Sequence, residues 1–184
     1  MKRIIIICFC LAVFAGARAQ KTVPEIKAGT TMYASAFVQG QEFPLVLTVK
    51  SITSPVSIGW SVESYGEGAF EMSAKSVESG TQLLAVTQPA LGVTKLNDTE
   101  TFGIISKAAF KILSDTKTFT YSGVKFKVKS PETTVLKISG KEIDAFHVIS
   151  EDGKEELWIL NNAAFPFIVQ SVGQATDIVI SEIK

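Results

Sequence analysis

Few side chains in this sequence have the types and neighbours that chemistry requires. His147, in Asp144-Ala-Phe-His147-Val-Ile149, is the only histidine. A serine hydrolase would use such a ring as its general base. No Gly-x-Ser-x-Gly elbow accompanies it here. His147 falls on the strand face of Ala145 and Ile149, which predicts a hydrogen-bonded histidine on a half-buried strand. Glu151-Asp152-Gly153-Lys154-Glu155-Glu156 places four carboxylates in six residues. Oxygen-rich turns bind calcium, but through alternating ligand positions that this run lacks. A solvated hairpin tip is the expectation. Lys125, Lys127 and Lys129 form a stripe that could meet an anion. Such a stripe is more simply the wet face of a strand, where lysine also discourages edge-to-edge pairing. Asn97-Asp98-Thr99 matches the short glycosylation sequon, which arises often by chance.

The amino terminus changes how the rest is read. Lys2 and Arg3 precede an apolar run from Ile4 to Phe14, and Ala17-Arg18-Ala19 is a small-x-small site. That order predicts a signal peptide over residues 1–19, cleaved after Ala19 to leave Gln20 first. Localisation would then be periplasmic or extracellular. Both cysteines, Cys8 and Cys10, lie in the removed segment. Neither follows the small residues expected before a lipidated cysteine, so they read as two apolar residues among others. With no cysteine and one histidine, the mature chain lacks the three or four ligands of a zinc site. The signal takes Lys2, Arg3 and Arg18 of the 18 basic residues and none of the 18 acidic ones, for a mature net charge near −3. Nucleic acid demands a basic surface, so it is not an expected partner. No other apolar run approaches the length of about 20 residues that a membrane span needs. The sequence names no nucleophile, metal set or phosphate loop, so neither an enzyme nor a cofactor is expected.

The elements are mostly strands. Odd positions from Phe43 to Val49 are apolar, as are even positions from Val56 to Val62 and from Phe70 to Ala74. Val124-Lys-Phe126-Lys-Val128 has one apolar and one lysine face. Period-two alternation with one wet face predicts antiparallel sheet. Asp152-Gly153 predicts a tight hairpin turn between flanking strands. Ser106–Leu113 predicts a short helix capped by Ser106, with Phe110 and Leu113 on one face. Thr81–Leu96 contains Pro89 and Gly92 and predicts a loop or broken connection. Residues 20–29 form an N-terminal arm, and residues 30–184 one antiparallel domain of about ten strands.

The stretch from Glu156 to Gln170 holds a strand with Trp158, a polar turn at Asn161-Asn162, and Pro166 opening the next strand. It resembles uncharacterised secreted β-rich proteins of Bacteroidetes-type bacteria. More distantly it resembles the periplasmic lipoprotein-carrier half-barrels. That resemblance implies a curved antiparallel sheet around short helices.

The expected fold is therefore mainly β: a half-barrel or open barrel with one or two short helices, a two-sheet sandwich being the rival. A curved sheet can leave room for a lipid-like or apolar ligand. Its walls would come from inward strand faces, namely Leu47 and Val49, Ile58, Trp60 and Val62, and Phe70 and Met72. Trp158 joins them if its hairpin shares the sheet. Alternatively these residues fill a solid core, and the protein is a structural or interaction component of the envelope with a protein partner.

Overall fold

The computed structural model describes residues 21–131 and 135–184. The expected signal peptide lies outside the described residues. Alternating apolar residues build strands β1 (Thr31–Val38), β2 (Gln41–Ser51), β3 (Val56–Val62) and β4 (Gly66–Met72) as a meander. Helix α1 (Ala74–Ser79) follows, then β5 (Gln82–Leu83), β6 (Gly92–Lys95) and β7 (Glu100–Thr101). Helix α2 (Lys107–Thr116) leads into β8 (Thr118–Tyr121) and β9 (Val124–Val128). The chain ends with β10 (Lys137–Ile138), β11 (Lys141–Glu142), β12 (Ala145–Ser150), β13 (Glu156–Leu160), β14 (Ile168–Val172) and β15 (Asp177–Ile183). Among the described residues the two helices hold only 6 and 10 residues, so the fold is mainly β.

Eleven strands form one sheet in the order β6-β4-β3-β2-β1-β15-β14-β13-β12-β9-β8. Its outer strands β6 and β8 do not pair with each other, so the sheet is open. Neighbours are antiparallel except β4 and β6, which run parallel through Gly68↔Gly92 to Glu71↔Lys95. The sheet is thus mixed, not purely antiparallel as the alternation predicts. A parallel return needs a long crossover, here supplied by α1, β5 and the segment after it.

Three other expectations need correction. Among the described residues there are fifteen strands, not about ten. Four of the fifteen, β5, β7, β10 and β11, are two-residue strands, too short for a periodic signal. The alternation at Phe70 to Lys75 predicts a continuous strand, but β4 stops at Met72. Ser73 ends it by capping α1, accepting from Ser76 N at 3.1 Å and donating to Asp98 Oδ1 at 2.7 Å; serine favours this local bonding over continued strand. Asp152-Gly153 does sit in the β12–β13 hairpin, but only Gly153 has positive φ, at 74°. The loop is wider than a two-residue turn and closes through Ser150 N to Glu155 O at 2.8 Å. Helix α2 begins after its expected cap, Ser106, but runs to Thr116, three residues past the expected end at Leu113. Ser106 Oγ accepts from Ala109 N at 3.3 Å, and Lys117 closes the far end in the left-handed region at φ 61°.

Apolar residues gather on both faces of the sheet. On β13, Leu157 and Ile159 join a cluster with Ala109, Phe110 and Leu113 of α2. Trp158 and Leu160 point the other way, into the larger cluster. That cluster contains Met32, Leu47, Val49, Ile58, Trp60, Phe70, Met72, Phe102 and Phe167. The arm is held against the domain: Ile26 is buried in this cluster, and Thr22 N donates to Glu142 O at 2.9 Å. Among the described residues no helix is long and apolar enough to cross a membrane.

Candidate functional site

The larger cluster does not fill its side of the sheet. A cavity of about 370 Å³ lies within it. Its position follows from the strand register. Leu47 pairs with Trp60, and Trp60 with Gly68. One rung along, Val49 pairs with Ile58, and Ile58 with Phe70. Leu45, Leu47, Trp60, Val62 and Phe70 face the space, while Val49, Ile58 and Met72 lie beyond its edge. Those three are wholly buried in a packed region, where Met72 Sδ also accepts from Phe102 N at 3.2 Å.

Of the eight residues singled out in the sequence, Leu47, Trp60, Val62 and Phe70 therefore line the cavity. Val49, Ile58, Met72 and Trp158 do not. Trp158 shares the sheet but stacks on His147, with ring centroids 3.9 Å apart and planes 16° from parallel. Its surface is spent on a cross-strand ring pair.

Glycine makes room for the Trp60 indole. A Cβ at Gly68 would lie 2.8 Å from Trp60 Cζ2 and 2.5 Å from Gly92 O. The ring therefore lies flat across β4, 5.9 Å from the ring of Tyr65. Phe70 and Phe102 meet at a centroid distance of 4.3 Å, and Phe102 and Phe167 extend the wall beyond the strands. The inner wall residues Leu47, Trp60, Phe70, Phe102 and Phe167 are buried, whereas Phe43 and Tyr65 at the rim are exposed. The space thus runs from an apolar floor to an accessible mouth.

A strap of largely irregular chain, residues 83–89, also borders this space. Behind the strap, Leu83 N donates to Ser122 Oγ at 2.9 Å and Leu84 N to Thr101 O at 2.8 Å. Further along, Thr176 Oγ1 donates to Val86 O at 2.5 Å and the Tyr65 hydroxyl to Pro89 O at 2.7 Å. Sequence reasoning missed the strap, along with Tyr65, Phe102 and Phe167. One signal was present: Thr81–Leu96 is a long connection with little regular structure, and such segments in compact domains are often binding loops.

One lining residue carries a polar atom buried away from the space. Trp60 is 3 % exposed, and its Nε1 is, among the described residues, the buried side-chain polar atom with no hydrogen-bond partner. The remaining lining consists of apolar side chains and neutral polar ones such as Thr87, Gln88, Ser171 and Gln174.

The other chemically suggestive groups are engaged elsewhere. His147 is buried, and its Nε2 lies 2.5 Å from Glu156 Oε2. Lys129 Nζ reaches both oxygens of the same carboxylate at 3.0 Å. Burial acts to raise the Glu156 pKa, but the hydrogen bonds from Lys129 and His147 outweigh it and leave the carboxyl below its ordinary value. The acidic hairpin distributes its carboxylates among separate partners. Glu151 pairs with Lys125 at 2.7 Å, and Glu155 accepts from Gln174 Nε2 at 2.6 Å. Asp152 accepts from Ser150 Oγ and Lys154 N, which lowers its pKa to about 2. Among the described residues no three His, Cys, Asp or Glu side chains gather as a metal site.

Comparison with protein-family models, with curated proteins and with solved structures finds no match.

Proposed function

We propose that this protein is an exported, non-catalytic binding protein that holds an apolar or amphipathic small molecule beside the strap. The observation that carries this reading is the cavity of about 370 Å³ with its aromatic wall. Small-molecule sites typically occupy about 300–1,000 Å³ and combine an apolar lining with a few polar groups. Protein interiors otherwise pack to crystal-like density with few voids larger than a water molecule. The larger part of this face does so, around Val49, Ile58 and Met72.

We read the open sheet as a curved half-barrel. Lining residues come from β1 to β4 and from residues 167–178, which span six adjacent strands of the order. Side chains from so wide a stretch converge on one space if the sheet wraps around it. The resemblance of residues 156–170 to secreted and lipoprotein-carrier proteins agrees with this reading. Export and residence in the periplasm or outside the cell rest on the basic, apolar and small-residue order of residues 1–19.

Two experiments test these statements. Titration with phenylnaphthylamine, a neutral apolar dye that brightens on leaving water, should show saturable binding to the native protein. An increase that persists unchanged after the cavity is blocked by substitution would remove the binding reading. Amino-terminal sequencing of the exported species should begin at Gln20. An intact Met1 would refute export, and a lipidated start at Cys8 or Cys10 would make the protein a lipoprotein.

A second reading, an envelope interaction protein, draws on the outer strand β6. Val93 within it and Leu91 just before it are 60 % and 64 % exposed. Under that reading, charged substitutions at those two residues abolish partner capture and leave dye binding intact.

A further inference from the structure

We infer that the occupant is an amphiphile with an uncharged hydrogen-bonding head, held with its apolar end inward and its head against Thr87 and Gln88 of the strap. This rests on the binding reading above and adds the chemical class of the ligand and its direction. Two independent features of the lining carry it.

The first is where hydrogen-bonding side chains remain free. Leu45, Leu47, Phe70 and Phe102 give the inner wall apolar surface only, and the Trp60 nitrogen is buried away from the space. A polar ligand group pushed against that wall would leave water and gain no side-chain bond, which is disfavoured. Most other polar side chains of the lining are already engaged. Thr176 Oγ1 donates to Val86 O, the Tyr65 hydroxyl to Pro89 O, and Gln174 Nε2 to Glu155 Oε2. Ser171 is buried, and its Oγ accepts from Ile178 N at 2.9 Å. Thr87 and Gln88 differ. Both line the space and both are exposed, so a ligand reaches them. Neither side chain has a hydrogen-bond partner among the described residues. A threonine hydroxyl and a glutamine amide each donate and accept. Together they suit a hydroxyl, ester or amide head.

The second is the absence of charge. Among the described residues no Asp, Glu, Lys, Arg or His lines the space. A charged head that gives up water needs an opposite charge, and Thr87 and Gln88 supply none. The acids bonded to Gln174 serve the fold instead: Glu155 accepts from its Nε2, and Asp177 accepts from Gly173 N at 3.1 Å and Gln174 N at 2.9 Å.

The test is displacement of phenylnaphthylamine at neutral pH by 1-decanol, sodium decanoate and decyltrimethylammonium, which share the chain and differ in the head. On the native protein the alcohol should displace the dye at about tenfold lower concentration than either ion. Charge is then placed where the head should sit. In Gln88→Lys the affinity for decanoate relative to decanol should rise about threefold or more. In Gln88→Glu it should fall by a similar factor, while decyltrimethylammonium gains. Each ratio is taken within one protein, so a change in dye affinity cancels. Gln88 is exposed and its side chain unbonded, so neither substitution removes a hydrogen bond of the fold. If the dye does not bind the native protein at all, the binding reading itself fails. If it binds and an ion displaces it as well as the alcohol does, the uncharged class is wrong. If both variants keep the native ratios, the head does not lie against the strap and the direction is wrong.

Discussion

Ala36→Leu separates a cavity from a filled core by the sign of one number. Ala36 lies on β1 between Phe43 and Ile178, is 7 % exposed, and faces the space. Leucine brings three more carbons. Burying them at about 0.8 kcal/mol each adds about 2.4 kcal/mol. Fixing the leucine rotamer takes back about 0.5–1 kcal/mol. The variant should therefore gain about 1.5 kcal/mol, a rise in Tm of about 3–6 °C for a domain of this size. In a packed core the same branch would force neighbours aside and cost about 1–3 kcal/mol. Urea unfolding measures the difference, provided the slope m is unchanged so that the midpoint reports stability. Dye affinity should fall at the same time, because the branch occupies ligand volume. A destabilised Ala36→Leu protein would refute the reasoning, because it would mean that the apolar face has no room to fill.

Other substitutions probe the wall, the strap and the ion cluster. Gly68→Ala puts a methyl against Trp60 and the Gly92 carbonyl, and should destabilise by about 1–3 kcal/mol in urea unfolding; no loss would mean the indole does not lie across β4. Tyr65→Phe removes the bond to Pro89 O at the exposed end of the strap. It should cost no more than about 1 kcal/mol but speed dye release in stopped-flow traces, and unchanged release would show that the strap does not control the mouth. Glu156 has a lowered pKa through Lys129 and His147, so its ionised form is bound more strongly in the folded state. That stability is present above the ordinary glutamate pKa and is lost as pH falls through the lowered folded value. Glu156→Gln should thus flatten the acid side of the stability profile, measured by urea midpoints at a series of pH values running from above the ordinary glutamate pKa to below the lowered folded value; an unchanged acid slope would rule out this linkage.

The strands were legible because alternation is a local property. Phe43 to Val49 and Val124 to Val128 announce their buried faces without any knowledge of the rest. The cap of α2 was legible for the same reason, since Ser106 acts on an amide three residues away. The boundary of the cavity was not. Leu47 and Val49 are both apolar and share one face, yet Leu47 borders the cavity and Val49 does not, a difference set by packing that the linear pattern does not carry. Trp158 was misplaced because its partner His147 lies across a strand pair, and register between strands is absent from a linear pattern. The strap has no period to detect. Its role arises from bonds to Ser122, Tyr65 and Thr176, which are distant in sequence. The break after Met72 could have been read from Ser73, a good capping residue, but the apolar Ala74 continued the alternation and concealed it.

Native mass spectrometry of protein purified from its own host, without detergent, addresses the binding role most directly. The spectrum should show the mature polypeptide carrying one small adduct. Collisional activation should release that adduct as a neutral molecule, and Ala36→Leu should lack it. A bare polypeptide from the host, together with no saturable uptake of phenylnaphthylamine, would contradict the binding role.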